Sequence, residues 1–176
     1  MQFQRTSVDG AFLILPEPRE DERGLFLRTF CQREFGEHGL PVAFAQTSLS
    51  FSRRRGTLRG IHWQGAPALD GKLVRCTRGA IYDVAVDLRC ESSTYLEWTA
   101  AELTQENRHQ LYIPGGCGHG LQTLADDCEV HYSITESYRP DLQRGVRWND
   151  PAFAIPWPVL PPILSERDRR FADWSR

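Results

Sequence analysis

The sequence predicts an all-β domain, a sandwich or barrel of the jelly-roll kind with a few short peripheral helices. Three observations carry that expectation. Gly and Pro recur between short apolar runs through the centre of the chain, the rhythm of strands closed by tight turns. The stretch KLVRCTRGAIYDVAVDLR, residues 72–89, sets Tyr82, Val84, Val86 and Leu88 in alternation with Asp83, Ala85 and Asp87, a period of two. Similar runs follow at 96–103, 110–113, 120–124 and 129–135, and many strands of that length suggest stacked or closed sheets.

Taken in order, the first apolar run, 11–15, is short and follows no basic stretch. Neither a signal peptide nor a membrane span is expected from it. Residues 32–38 read as a helix stopped by Gly39, and Arg78-Gly79 is the expected turn within 72–89. Prolines 156, 158, 161 and 162 require the chain to run extended over a surface there. A last helix is expected over 166–174, with Ser165 as its N-cap.

The 176 residues fit one domain, 1–176, able to bury roughly 70% of its unfolded surface. Lys plus Arg number 21 against 23 Asp plus Glu, a net charge of −2, so nothing global attracts nucleic acid or an anionic membrane. Anion binding must then come from local placement of arginines. The five cysteines (31, 76, 90, 117, 128) are odd in number and form no C-x-x-C pair. Free thiols in a reducing cytosol, and hence a cytoplasmic protein, are expected.

The stretch GTLRGIHWQ, residues 56–64, places His62 three residues after Arg59. A metal-binding barrel would want a second histidine close by, but Trp63 and Gln64 follow, and Lys72 is no ligand at neutral pH. His62 is left as a core imidazole or a base. Arg59, His62, Lys72, His119, Tyr132 and Tyr138 all fall on expected strands or strand ends, which in a small barrel can converge on one mouth. Histidine, with a pKa near ~6.5, and tyrosine, near ~10, form an acid/base pair suited to carbon chemistry. Each has a plainer reading: strand aromatics for Tyr132 and Tyr138, an edge charge for Lys72, and a helix-capping Ser-x-x-Asp arrangement for Asp168.

With ENRHQLYIP (106–114), GHG (118–120), RGVRWNDP (144–151), IPWP (155–158) and LSERD (164–168), these runs resemble the dTDP-4-dehydrorhamnose 3,5-epimerase family. Its members are cofactor-free cupins acting on nucleotide-linked 4-keto-6-deoxy sugars, and the resemblance extends from Glu22 to Asp168. It implies His62 as general base, Tyr132 as proton donor on the opposite face of the sugar, Asp168 as the carboxylate that orients the histidine, and Lys72 beside the keto oxygen. It further implies Arg23, Arg59 and His119 as phosphate or sugar contacts, Gln46 as a binding-strand contact, Tyr138 stacked on the base, and Arg167 on the nucleotide. A ketone at carbon 4 acidifies the hydrogens on carbons 3 and 5, so one enolate serves either inversion, and neither metal nor redox cofactor is needed. The implied assembly is a homodimer in which residues 1–30 cross to the partner; residues 156–176 form a C-terminal extension with a short helix.

Three departures stand out. Arg28 replaces a usual glutamate, and Gln46-Thr47-Ser48 replaces a Q-D-N strand, which bears on the nucleotide more than on the chemistry. In IPGGCGHG, Gly115, Cys117 and Gly118 replace larger residues, which is expected to widen or loosen the pocket and bring Cys117 toward the ligand unless the thiol is buried. Beyond these three, Gln143 stands where a carboxylate is frequent. The leading function is inversion at carbon 3, carbon 5 or both of dTDP-4-dehydro-6-deoxyglucose in deoxysugar biosynthesis. A ketoisomerase of the same fold, and a non-catalytic sugar-nucleotide-binding protein, are the alternatives.

Overall fold

Alternation along the strands decides what each sheet covers. In the computed structural model, which describes residues 1–175, the first half of the chain forms β1 (Gln2–Arg5), β2 (Phe12–Leu15), β3 (Arg19–Asp21), β4 (Gly24–Phe26), α1 (Gln32–Glu37), β5 (Gln46–Ser52), β6 (Leu58–Gln64), β7 (Lys72–Arg78) and β8 (Ala80–Asp87). The rest forms β9 (Trp98–Thr104), β10 (Gln110–Ile113), β11 (Cys117–Thr123), β12 (Cys128–Ile134), β13 (Gln143–Gly145) and α2 (Glu166–Arg169). Arg176, the final residue of the expected C-terminal extension, lies outside the described residues.

Two antiparallel sheets face each other, one ordered β1-β2-β10-β7-β12-β5 and the other β13-β6-β11-β8-β9, with β3-β4 as a separate hairpin. This is the expected jelly-roll sandwich. Between the sheets lies a core of Val74, Cys76, Ile81, Ala85, Leu111, Leu121 and Val130. The expected turn is present: β7 and β8 are joined at Gly79, whose φ of 78° is left-handed, a conformation glycine adopts without steric cost.

Both sheets are also covered from outside. Phe12, Ile14, Leu73 and Tyr112 point away from the central core and pack on Phe35 of α1 and Leu40. Val84 and Val86 of β8 meet Phe153, Ile155 and Trp157, so the proline-rich segment runs extended over the second sheet as expected. Because β8 is buried on both faces, Asp83 and Asp87 on its inner face are fully shielded from solvent.

The last helix is shorter than expected, ending at Arg169 instead of Trp174. Ser165 caps it, its Oγ accepting from the Asp168 N–H at 3.0 Å. Beyond Arg170 the backbone finds other partners. Arg147 N–H donates to the Ala172 carbonyl at 3.0 Å, and the Trp174 N–H donates to Asp150. A helix of two or three turns has little stability of its own, so these contacts win.

Candidate active site

A cavity of about 610 Å³ opens between the two sheets. The first sheet supplies Ser50 from β5, Lys72 from β7 and Tyr132 from β12; the second supplies Arg59 and His62 from β6 and His119 from β11. Arg167 and Asp168 of α2 and the loop residue Tyr138 close the rim. Eight of the ten expected site residues therefore share one cavity.

His62 Nε2 lies 2.6 Å from Asp168 Oδ1, a charge-assisted distance. Burial would push the Asp168 carboxyl up, but His62, the Ser165 hydroxyl and the Gly60 backbone hold it below the usual carboxylate range. An ionised Asp168 accepts, so Nε2 carries the proton and Nδ1 is the basic nitrogen. Asp168 makes both contacts at once: its N–H donates to the capping Ser165 Oγ, and its carboxylate meets the imidazole.

Tyr132 faces this pair from the opposite sheet. Its hydroxyl lies 3.0 Å from Ser50 Oγ, and burial pushes its pKa up to about 12. It stays protonated, and a donor, throughout the neutral range. Lys72 is buried rather than a solvated edge charge, with Nζ 3.0 Å from Asp70 Oδ2.

The cations divide by partner. Arg59 donates to Ser52 Oγ at 3.2 Å and the Phe51 carbonyl at 3.1 Å, and Arg167 donates to Gln143 Oε1 at 3.0 Å. Neither meets a carboxylate among the described residues, so both charges remain available to an anion. Arg23, by contrast, is exposed on the β3-β4 hairpin and paired with Asp21 at 2.6 Å. Within this chain it does not reach the cavity.

Gln46 lies one step back from the cavity: its Oε1 accepts from the Tyr138 N–H at 2.9 Å. Gln64 joins it in fixing the same loop, accepting from Arg139 N–H at 2.7 Å and donating to the Ser137 carbonyl at 3.2 Å. The Tyr138 hydroxyl donates to Gln143 Oε1 at 2.6 Å. Tyr138 is 56% exposed yet held at its backbone N–H and its hydroxyl, which suits a flat face kept ready for a ring.

Several contributors were invisible to sequence reasoning. His119 Nε2 is 2.7 Å from Asp83 Oδ1, and Asp83 Oδ2 is buried with no hydrogen-bond partner among the described residues. Burial pushes this carboxyl up, while His119 and Lys72 pull it down. An aspartate inside an otherwise apolar strand is the only local signal for it. Ser50, Gln64 and Asp70 carried no such signal, since each matters only through a partner on another strand or loop.

The glycine-rich turn corrects an expectation. Instead of a widened pocket, Leu69 lies 3.0 Å from where a Cβ on Gly115 would sit, and Ile61 lies 2.5 Å from one on Gly118. The room is already occupied, by the backbone and side chain of Leu69 at Gly115 and by the Ile61 side chain at Gly118. Cys117 is buried beside Asp87 and does not line the cavity; its thiol is pushed up to about 12 by burial, which leaves it unreactive.

Comparison with known proteins agrees with the geometry. A profile of the dTDP-4-dehydrorhamnose 3,5-epimerase family matches residues 5–176. The dTDP-4-dehydrorhamnose 3,5-epimerase of Methanothermobacter thermautotrophicus is 49% identical over 97% of this chain and 92% of its own length. The Bacillus anthracis enzyme, solved with TDP and PPi bound, superposes with a TM-score of 0.95 at 39% identity, covering 98% of this chain and 99% of that one. The Legionella pneumophila 3,5-epimerase, in complex with dTDP-4-keto-L-rhamnose, has a TM-score of 0.91 at 34% identity, covering 98% and 92%. With its fold and nearly its whole length in common with these enzymes, the chain belongs to the dTDP-4-dehydrorhamnose 3,5-epimerase family of isomerases.

Proposed function

We propose that the cavity epimerises a dTDP-linked 4-keto-6-deoxyhexose at carbons 3 and 5 in deoxysugar biosynthesis, with His62 as base and Tyr132 as acid. The observation that carries this reading is the placement of His62, paired with Asp168 of α2, and Tyr132 on opposite sheets across one cavity. His62 Nδ1 takes the C–H proton beside the ketone, and the electron pair moves to the carbonyl oxygen as an enolate. The ammonium of Lys72 stabilises that charge. Tyr132 then delivers a proton to the carbon from the other face. The cycle closes when the imidazolium releases its proton to water and the phenolate regains one, with the Ser50 hydroxyl as its nearest neighbour.

Arg59 and Arg167, free of carboxylates, hold the diphosphate; His119, oriented by Asp83, contacts phosphate or sugar, and Tyr138 stacks on the base with Gln46 fixing its backbone. The presence of Tyr132 favours inversion over ketone migration, which needs no acid on the second face. The chain works as one domain in a cytoplasmic homodimer. The β3-β4 hairpin, with Arg23 and a Phe26 that is 73% exposed, is the segment suited to reach a partner's ligand. No helix among the described residues is long and apolar enough to cross a membrane.

The test is deuterium exchange. In D2O with dTDP-4-keto-6-deoxyglucose, the carbon 3 and carbon 5 proton signals should disappear from the NMR spectrum in the presence of the protein. No wash-in at either carbon with intact substrate sinks the reading, and wash-in at carbon 3 alone reduces it to a single inversion.

A further inference from the structure

We propose that Phe171 is a positioning residue for the base: from the C-terminal segment, its ring takes the place of a side chain missing at Gly145 and fixes the plane of the His62 imidazole. This inference rests on the reading of His62 as base. It begins with strand register. Gly145 of β13 is paired with His62 of β6, and directly paired residues project from the same face of a sheet. A side chain at 145 would therefore lie beside the imidazole, but the position is glycine.

That space is filled from elsewhere in the chain. A Cβ built on Gly145 would sit 2.2 Å from Phe171 Cζ and 2.5 Å from Cε1 and Cε2, so the tip of the phenyl ring occupies the missing side chain's volume. Only glycine leaves room for it. The Phe171 and His62 ring centroids are 5.6 Å apart with planes inclined by 66°, the edge-to-face arrangement aromatic rings favour. The Arg167 guanidinium lies over the same ring, 5.6 Å from its centroid. The ring thus packs against both the base and the cation assigned to the diphosphate.

A second constraint on the imidazole is physically needed. The Nε2 bond to Asp168 Oδ1 fixes one ring atom, but a single hydrogen bond leaves the ring able to tilt about its axis. Tilting would swing Nδ1 away from the C–H bond. An aromatic edge against the flank of the imidazole resists that motion without adding charge or competing for Nδ1. Phe171 can bear the load because its neighbours are anchored: Arg147 bonds Ala172 through the backbone and pairs with Asp173 at 2.7 Å, and Trp174 Nε1 donates to Tyr95 at 3.0 Å.

Phe171 packs on the base and is not among the residues lining the cavity, and a leucine keeps apolar bulk under Arg167, so loss of the planar edge should act on turnover and spare binding. In Phe171→Leu, which keeps apolar volume but lacks a planar edge, kcat and deuterium wash-in are expected to fall together by roughly 10- to 100-fold, the scale of a small misplacement of reacting groups. KM and the dTDP-induced thermal shift should stay within about twofold of the parent, and the acid limb of the kcat–pH profile should move as the imidazole–carboxylate pair loosens. Gly145→Ala, which pushes the ring away while leaving it in the chain, should reproduce the loss and is read by the same criteria if Phe171→Leu does not fold. A folded variant with parental kcat and an unmoved pH profile overturns the proposal. Parallel loss of kcat and dTDP binding also overturns it, by making the segment a wall of the binding site. Absence of exchange in the parent protein would instead refute the epimerase reading itself.

Discussion

Replacing Asp168 by asparagine tests the core of the site, because the change removes the charge while keeping the size and shape of the side chain. The backbone N–H that caps α2 on Ser165 is retained, and the amide oxygen can still accept from His62 Nε2. What disappears is the stabilisation of the imidazolium formed when Nδ1 takes the substrate proton. The pair is 2.6 Å apart, with the Asp168 side chain 5% exposed and that of His62 28%. At ~4 Å between charge centres and an effective dielectric of ~20, the Coulomb attraction is about 4 kcal/mol. Solvent at the exposed edge of His62 and the surviving neutral hydrogen bond reduce the net loss to roughly 2–3 kcal/mol. At ~1.4 kcal/mol per decade this is a roughly 30- to 150-fold fall in the proton-abstraction rate. The assay is carbon 3 and carbon 5 deuterium exchange by NMR, with a dTDP thermal shift as control. A rate within about twofold of the parent, or loss of the thermal shift alongside the rate, would refute the reasoning.

Tyr132→Phe should slow net inversion by roughly 10²- to 10⁴-fold while exchange of the abstracted proton continues faster than inversion; equal loss of both, followed by NMR, argues against a donor role. Since the Tyr132 hydroxyl is raised to about 12, above its unfolded value near ~10, its stabilising contribution is complete below pH ~10 and is lost as pH rises toward 12. Denaturant midpoints across that range should show Tyr132→Phe losing less stability than the parent. Asp87 works in the other direction: burial pushes its carboxyl up, but bonds from Arg89, Ser92 and Thr94 bring it down to about 2, so its contribution is present above pH ~4 and lost as pH falls toward 2. Asp87→Ala, which leaves a partly buried Arg89 without its carboxylate, should cost about 3 kcal/mol and lower Tm by roughly 6–12 °C by calorimetry. Arg59→Ala should weaken dTDP in a thermal-shift titration while leaving thymidine unchanged, and a panel of dTDP, UDP, CDP and GDP on the parent protein reads which nucleotide is preferred.

Much of this protein was determined locally. The period of two over 72–89 marks two strands and the turn at Gly79, and residues 110–113 form β10 as the pattern requires. The runs around His62, Tyr132, Lys72 and Asp168 carry the family signature, because residue type and chain order are properties of the sequence itself. The prolines from 156 onward foretell an extended crossing, since a proline-rich stretch resists both helix and inner strand.

Tertiary structure decided what covers each face and which polar groups meet. Alternation along 80–87 separates Asp83 and Asp87 from Val84 and Val86, yet cannot reveal that both faces are buried, one by the opposing sheet and one by the C-terminal crossing. Asp83 becomes the partner of His119, and Asp70 that of Lys72, only when strand register and loop path bring them together. The end of α2 is a similar case: residues 166–174 can propose a helix, but the backbone partners offered by Arg147 and Asp150 and the vacancy above Gly145 draw the last turns out of it. A short helix gains too little from its own hydrogen bonds to resist long-range contacts. The aromatic ring against His62 is therefore placed by tertiary contacts that no local pattern encodes.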